Sequence, residues 1–234
     1  MILYYRISNN SNSSKIKLPN ATKEHCLDNF LKEFDKTEND ITIVADNLFD
    51  YNLKQFIISK IKYNIHLIET KLGNSKSFIY CLENACSRMS DVDWFYMSED
   101  DYLYLPNSFQ ILKEALEISD YVTLYDHIDK YMEPNEGGNP QIENGGELTK
   151  VVLTKSSHWK FTNSTTGTFG ANADVLKKDI STWKKYFFNN ECHDYEACCE
   201  LTKIHGRSLI SCIPGKSTHT ETRWLSPLID WTKI

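Results

Sequence analysis

The ten residues VDWFYMSEDD, at positions 92–101, decide which fold this sequence predicts. Residues 92–97 are mostly apolar and aromatic, which is typical of a buried β-strand. Ser98 follows, and Glu99, Asp100 and Asp101 then form three consecutive carboxylates. In a parallel sheet, ligands bind beyond the carboxyl ends of the strands. These three residues are therefore the first candidates for a functional site.

Short apolar runs alternate with amphipathic patterns on both sides of this stretch. Further strands are predicted at 2–7, 41–45, 65–68 and 121–125, and helices at 21–34, 52–60, 76–89 and 107–118. Alternation of this kind is typical of βαβ units with a parallel sheet. We predict one α/β domain over residues 1–234, with a mainly parallel central sheet flanked by helices and a small antiparallel extension.

The composition excludes several classes of protein. The chain has 234 residues, which suits one domain, and its net charge of -6 argues against a nucleic-acid partner. No run of about 18 apolar residues predicts a transmembrane helix. The first residues, MILYYRISNN, do not have the pattern of a signal peptide. Seven cysteines without a CxxC pair indicate reduced thiols, disfavour a structural zinc site and predict a cytoplasmic protein.

The acidic cluster has two interpretations. Three adjacent carboxylates repel one another unless a cation or water offsets their charge. A divalent ion held by one or two of them, with substrate phosphates completing its shell, is the functional interpretation. A solvated turn is the alternative. The strand in front and the helix behind favour the metal site.

At this point the sequence resembles a family. Residues 94–116, WFYMSEDDYLYLPNSFQILKEAL, look like the acidic-motif segment of GT-A-fold glycosyltransferases of the family 2 type. Further similar segments follow in the family's order: ITIVADN (41–47), LGNSKS (72–77), HDYEACCELTKIHG (193–206) and GKSTHTET (215–222). The resemblance implies a GT-A fold, with residues 1–105 as the nucleotide-binding half and 106–234 as the acceptor and catalytic half.

The resemblance also implies an activity and a metal site. The chain would be a hexosyltransferase that moves a sugar from a nucleotide-sugar, UDP-linked first among the candidates, to a glycan or glycoprotein. Asp101, Glu99 and His219 would bind Mn2+ or Mg2+ against the diphosphate. Asp194 would be the general base of an inverting displacement, with the start of a helix as its alternative role.

Nucleotide-binding candidates come partly from the resemblance and partly from chemistry. The set is Arg6, Ser8, Asp46, Asn74, Lys76, Ser77, Glu99 and Asp100. The resemblance places Asp46 at the base or ribose. Arg6 and Lys76 are the candidate phosphate-facing cations, because guanidinium and ammonium groups pair with phosphate; a solvated or salt-bridged side chain is the alternative for each. Asn74 and Ser77 either bond the nucleotide or cap a helix.

Some features depart from the family pattern or stay open. His193 stands where the family usually has Glu, and the acidic motif also aligns in a second register, Ser98 with Asp100.

Gly167 and Gly170 of TTGTFG (165–170) would let the backbone approach the sugar, or form a turn. The tryptophans that would stack on sugars or pack in the core are Trp159, Trp183 and Trp224.

Two other functions are compatible with parts of this sequence. A sugar-phosphate nucleotidyltransferase would share the sheet and the carboxylates, but the glycine-free SNNSNSSKIK after the first strand disfavours it. A non-catalytic nucleotide-sugar or glycan-binding module is the second alternative.

Residues 133–149 are rich in Gly, Asn and Glu, and they predict either a mobile loop or a plain surface connection.

Overall fold

The computed structural model describes residues 1–9, 15–90 and 93–234. The strands are β1 (Ile2–Ser8), β2 (Asp40–Asp46), β3 (Ile65–Thr70), β4 (Trp94–Glu99), β5 (Tyr102–Tyr104), β6 (Tyr121–Thr123), β7 (Val151–Leu153), β8 (His158–Phe161), β9 (Phe169–Asn172), β10 (Phe187–Phe188), β11 (Glu191–Cys192), β12 (Leu209–Ile213) and β13 (Ser217–His219). The helices are α1 (Lys23–Phe34), α2 (Tyr51–Ile58), α3 (Asn74–Arg88), α4 (Ser108–Leu116), α5 (Ala173–Tyr186) and α6 (Asp194–Lys203). Short 3-10 helices lie at Ile128–Tyr131, Pro134–Glu136, Thr222–Trp224 and Trp231–Lys233.

Nine strands form the central sheet, in the order β3-β2-β1-β4-β9-β6-β12-β8-β7. The first four run parallel to one another, and β6 runs parallel to β12. Antiparallel pairing joins β9 to both β4 and β6, and β8 to both β7 and β12. Two small antiparallel sheets pair β10 with β11 and β5 with β13. The predicted α/β fold is confirmed, with its mainly parallel sheet and small antiparallel additions.

The sheet is buried on both faces because side chains alternate along each strand. Tyr4 and Tyr5, neighbours in β1, belong to different core clusters. Tyr5 packs against Phe30 of α1, with ring centroids 4.9 Å apart. On the opposite face, Tyr4 packs near Phe95, in the cluster that α3 and α5 cover. Helices on both faces leave the strand ends as the exposed part of the sheet.

The strand register brings the predicted polar positions to one edge. Ser8 pairs with Asp46, and Asp46 pairs with Thr70 on the next strand. Arg6 of β1 lies beside Glu99 of β4. Because these strands are parallel, their carboxyl ends meet at the same edge, as the sequence predicts.

The predicted strand bounds differ from the observed ones by up to two residues. The fourth strand is predicted at 92–97 but runs from Trp94 to Glu99, because backbone pairing with β1 continues through Ser98 and Glu99. Residue 92 itself lies outside the described residues. The strand predicted at 121–125 ends at Thr123. Apolarity marks the buried part of a strand, whereas pairing with its neighbours sets its length.

The loop at 133–149 makes specific contacts with the body of the domain. The amide of Asn139, which is buried, donates hydrogen bonds to Asn163 and Ser164. Ile142 is also buried, and Glu147 lies 3.6 Å from the Lys160 ammonium. The structure therefore anchors this segment at several points, and its mobility stays a prediction.

Two further expectations concern the cysteines and the membrane. All seven cysteines carry free thiols. Across the described ranges, no helix combines the length and apolarity needed to cross a bilayer.

Candidate active site

A cavity of about 430 Å³ opens at the carboxyl ends of β1, β2 and β4. Predicted site residues that line it are Arg6, Ser8, Asp46, Asn74, Ser77, Glu99, Asp100, Asp101 and His219. Lining residues that the sequence analysis does not single out are Ile7, Lys15, Lys17, Lys23, Val44, Gly73 and Asn190. Most of the predicted site therefore converges on one cavity, and the lysines are its main unpredicted component.

Glu99 is held by the buried guanidinium of Arg6. Nη1 of Arg6 donates to Glu99 Oε1 at 2.6 Å. Nη2 donates to the backbone oxygen of Asn74, to Asn74 Oδ1 and to Ser77 Oγ at 2.7 to 2.9 Å. Burial raises the pKa of Glu99, although Arg6 acts in the opposite direction. Arg6 thus joins β4 to the first turn of α3.

Asp100 is held by two donors from the N-terminal part of the chain. Its Oδ2 accepts the backbone N–H of Ser8 at 2.9 Å and the Lys23 ammonium at 2.5 Å. Burial raises the pKa of Asp100, and Lys23 opposes that rise. The end of β1 and the start of α1 are therefore both tied to the acidic cluster.

Asp101 has two nitrogen groups close to a single oxygen. Its Oδ2 lies 3.0 Å from the Lys17 ammonium and 3.1 Å from His219 Nε2. Burial acts in the opposite direction, but His219 and Lys17 hold the pKa of Asp101 well below its usual range. Tyr102 packs edge-on against the His219 ring at 5.3 Å and helps to orient it.

Asp101 and His219 form a two-donor set that suits a divalent cation. Within the described part of the chain, no group of three or more His, Cys, Asp or Glu side chains is arranged to hold a metal ion. A metal here would need phosphate oxygens or water to complete its shell, which is the usual arrangement for Mg2+ at phosphate sites. His219 Nδ1 accepts the Glu221 N–H at 3.2 Å, so ligation through Nε2 would require the other tautomer. The residues fit a cation shared with a diphosphate.

The two registers of the acidic motif differ in where they place Ser98. Its hydroxyl is fully buried and lies 2.6 Å from the Tyr104 hydroxyl. Ser98 is absent from the residues that line the cavity, whereas Glu99 and Asp101 both line it. This placement favours the register with Glu99 and Asp101.

Asp46 has little bonding capacity left for a ligand. Oδ1 accepts the Thr70 hydroxyl at 2.8 Å and the Leu72 N–H at 2.6 Å. Oδ2 accepts the Gly73 N–H at 2.9 Å and the Asn47 amide at 2.7 Å. The carboxylate therefore clamps the turn before α3, and the base or ribose contact stays a prediction.

The turn before α3 also needs Gly73. This residue has φ +84°, and an added Cβ would lie 2.6 Å from Oδ1 of Asn190. That same oxygen accepts the Asn74 N–H at 2.6 Å. Lys76, in the first turn of α3, is exposed and does not line the cavity. The structure therefore brings Asn74 to the site and leaves Lys76 outside it.

Asp194 is the first residue of α6, after the β10–β11 hairpin. His193 takes the preceding capping position and makes no side-chain cap bond, while Asp194 Oδ1 accepts the Tyr195 N–H at 2.9 Å. Burial and then the charge of Glu99 raise the pKa of Asp194 to about 7. A half-buried carboxylate with a pKa near neutrality can accept a proton from an alcohol in the transition state.

Neighbouring carboxylates lack this environment. Glu191 and Glu196 have side chains that are 66% and 51% exposed, and both lie near His193. Both side chains are more exposed than that of Asp194, so Asp194 remains the candidate base.

The glycines of TTGTFG divide between the site and the core. A Cβ on Gly167 would lie 3.5 Å from the Glu99 carboxyl carbon, so the backbone passes close to the acidic cluster. Gly170 lies in β9, where a Cβ would meet Leu112 at 3.1 Å. Gly167 therefore allows a close approach to Glu99, whereas Gly170 serves packing within the sheet; a sugar contact at Gly167 stays a prediction.

The three tryptophans differ in burial. Trp159 and Trp183 are buried in the core, so they do not stack on a ligand. Trp224 is half-buried, and its ring lies 5.4 Å from His127.

Comparison with known proteins supports the fold. GalNAc-T7, solved with UDP, GalNAc and Mn2+, matches 90% of this chain over 42% of its own, with a TM-score of 0.56 and 10% identity. A protein from Desulfovibrio desulfuricans, described as a nucleotide-diphospho-sugar transferase, matches 90% of this chain over 78% of its own, with a TM-score of 0.52 and 10% identity. No protein-family model and no curated protein matches the sequence. The chain has a GT-A-like fold.

Proposed function

We propose that this chain is a glycosyltransferase that moves a sugar from a nucleoside-diphosphate sugar to a hydroxyl of a glycan or glycoprotein. One observation carries the proposal: nine predicted site residues line one cavity at the carboxyl ends of β1, β2 and β4, and the charge of Glu99 in that cavity adds to burial in raising the pKa of Asp194 to about 7. That arrangement supplies a base beside a site for a charged leaving group. The GT-A-like fold supports the same conclusion.

The charges around the cavity support a metal-linked diphosphate. Four cationic side chains and four carboxylates line it, and these formal charges cancel; they are Arg6, Lys15, Lys17 and Lys23 against Asp46, Glu99, Asp100 and Asp101. A nucleoside diphosphate adds negative charge that these eight side chains do not offset. A divalent cation on Asp101 and His219, with Glu99 nearby through water or at the ribose, would supply the missing positive charge and stabilise the leaving diphosphate.

The chain's own residues account for the rest of the reaction. The acceptor hydroxyl would lose its proton to the Asp194 carboxylate as its oxygen bonds to the anomeric carbon. The bond from that carbon to the diphosphate oxygen would break on the opposite face, so the anomeric centre inverts. Burial keeps Asp194 basic enough for this transfer, which typically contributes about 10²- to 10⁴-fold to the rate.

UDP-sugars are the first donors to test, because GalNAc-T7 was solved with UDP and Mn2+. The protein is titrated with UDP-, GDP- and TDP-sugars, with and without MnCl2, while thermal unfolding and release of free sugar are followed. We expect one nucleotide to raise the melting temperature by about 5 to 10 °C at a hundredfold excess over Kd, and to do so only with metal.

A matched pair of variants locates the effect. Asp101→Asn should lose the metal-linked stabilisation, because its Oδ2 lies beside His219. Asp230→Asn, at an exposed carboxylate that pairs with Lys233, should keep it. If no nucleotide stabilises the wild-type protein in a metal-dependent way, the proposed donor site is wrong.

A further inference from the structure

Three lysines close to one another in the sequence pair with carboxylates at the mouth of the cavity. Lys17 lies 3.0 Å from Asp101, and Lys23 lies 2.5 Å from Asp100. Lys15 lies 3.1 Å from Glu221, two residues after His219. We call Lys15 and Lys17 with the chain between them the lysine strap.

The backbone fixes the strap in place. Lys17 forms an antiparallel bridge with Glu221. The Leu18 N–H donates to the Thr220 oxygen at 2.9 Å, and the Thr222 N–H donates to the Ile16 oxygen at 2.8 Å. Residues two apart on an extended segment point to the same side, and Lys15 and Lys17 both line the cavity.

The core also anchors this segment. The Leu18 side chain is 5% exposed and packs in a cluster with Leu103 and Trp231. The position of the Lys17 ammonium is therefore set by the fold. A surface lysine in a chance ion pair would lack this support.

Lys17 and a metal ion need the same carboxylate oxygen. The lysine contacts Asp101 Oδ2, which is also the oxygen nearest His219. Two cations on one oxygen repel each other, so a metal bound there would displace the ammonium. A displaced ammonium at the rim of the cavity would meet the phosphate oxygens that accompany the metal.

We infer that Lys17 is an exchangeable counter-ion: it holds Asp101 until a divalent cation arrives, and it then transfers to the diphosphate of the nucleotide. The inference rests on the proposed function, because it assumes that a metal and a nucleoside diphosphate share this cavity. It makes Lys17 a ligand-binding residue for the metal–diphosphate pair. One consequence is that metal and nucleotide each bind more tightly when the other is present, by the same factor.

The test is Lys17→Met, which keeps the length of the side chain and removes its charge. Mn2+ binding is followed by the EPR signal of free Mn2+, and UDP binding by calorimetry with and without Mn2+. Because the variant lacks the competing Lys17 ammonium, Mn2+ alone should bind it about tenfold more tightly than it binds wild type. UDP with saturating Mn2+ should bind the variant about tenfold more weakly, because the diphosphate has lost a cationic partner. UDP alone should bind the variant as it binds wild type, because in wild type without metal Lys17 stays on Asp101 and does not reach the diphosphate.

Two controls separate charge from fold. Lys17→Arg keeps the positive charge and should restore both affinities to within a few fold of wild type. Lys54→Met removes an exposed lysine that pairs with Glu69, and it should change neither affinity. The opposite signs for metal and nucleotide are the diagnostic result, because a lysine that only supports the fold would weaken both.

The outcomes distinguish the two proposals. If wild type binds UDP with Mn2+ but Lys17→Met weakens both ligands or neither, the counter-ion role is wrong and the donor site stands. If wild type binds no nucleotide under any condition, both proposals fall.

Discussion

The ion pair at the mouth of the cavity and an ion pair in the second half of the chain have the same length and opposite surroundings. Lys17 and Asp101 lie 3.0 Å apart, with side chains 25% and 17% exposed. Lys160 and Asp126 also lie 3.0 Å apart, but their side chains are 4% and 3% exposed. Distance alone would rank these pairs as equals.

Burial separates their roles. A pair that water can reach exchanges its partner at a lower cost than a fully buried pair, because water solvates the charge that is left; fully exposed ion pairs contribute only about 0 to 1 kcal/mol. A buried pair leaves an unsatisfied charge when it is broken, which costs about 3 to 5 kcal/mol. The first pair is therefore suited to ligand exchange, and the second to holding β8 against the segment after β6.

Asp194 belongs to neither kind of ion pair. Its replacement is the most direct test of the proposed catalytic role and has the largest expected effect. Among the described residues no cation contacts its carboxylate, and burial followed by Glu99 raises its pKa to about 7. Asp194→Asn should lower the transfer rate about 10²- to 10⁴-fold. Binding of the nucleotide with Mn2+ should persist, as checked by calorimetry. Unchanged transfer would show that Asp194 is not the base.

The same carboxylate predicts how activity and stability depend on pH. The wild-type kcat/KM should rise as Asp194 loses its proton around pH 7. Because the folded pKa lies above the unfolded one, the stabilisation from Asp194 is complete at low pH and is lost as pH rises through 7. Asp194→Asn should therefore be more stable than wild type at pH 8, by on the order of 1 to 3 kcal/mol, and the difference should shrink below pH 4. Guanidinium unfolding at both pH values measures it.

The buried pair predicts the largest loss of stability. Lys160→Met removes the partner of Asp126, so the free energy of unfolding should fall by about 3 to 5 kcal/mol. Lys17→Met, at an equal distance from its carboxylate, should lose less than about 1 kcal/mol, since Asp101 keeps His219 and access to water. Urea unfolding of both variants gives the comparison directly. Similar losses would mean that burial does not separate the two pairs.

The first half of the chain could be predicted from its sequence, because each signal there is local. Apolar runs marked β1 to β4, and the parallel arrangement brought Ser8, Asp46 and Glu99 to one edge. The second half could not be, since its strands are short and pair with distant parts of the chain. Val151–Leu153 and the hairpin at Phe187–Phe188 have no apolar period long enough to recognise.

The lysines of the site were missed for a related reason. Lys15 and Lys17 stand in a polar, lysine-containing stretch that resembles any solvated loop. What places them over the cavity is pairing with Thr220 to Thr222, which lie about two hundred residues further along. The usable signal was chemical: three adjacent carboxylates after a strand need cations to offset their charge, and the loop after β1 contains Lys15 and Lys17.

Lys76 offers the smallest effect and a direct check on that lesson. The sequence placed it among the phosphate-facing cations, but the side chain is exposed and does not line the cavity. Lys76→Ala should change the affinity for UDP with Mn2+ by no more than about twofold in 0.15 M salt, where exposed charges are largely screened. Calorimetry of UDP binding with Mn2+ to Lys76→Ala and to Lys17→Met compares two variants that each lose one positive charge. A tenfold loss from Lys76→Ala would mean that the first turn of α3 swings toward the phosphates when they bind. Ligand binding, and not the ligand-free fold, would then decide which lysines reach the phosphates.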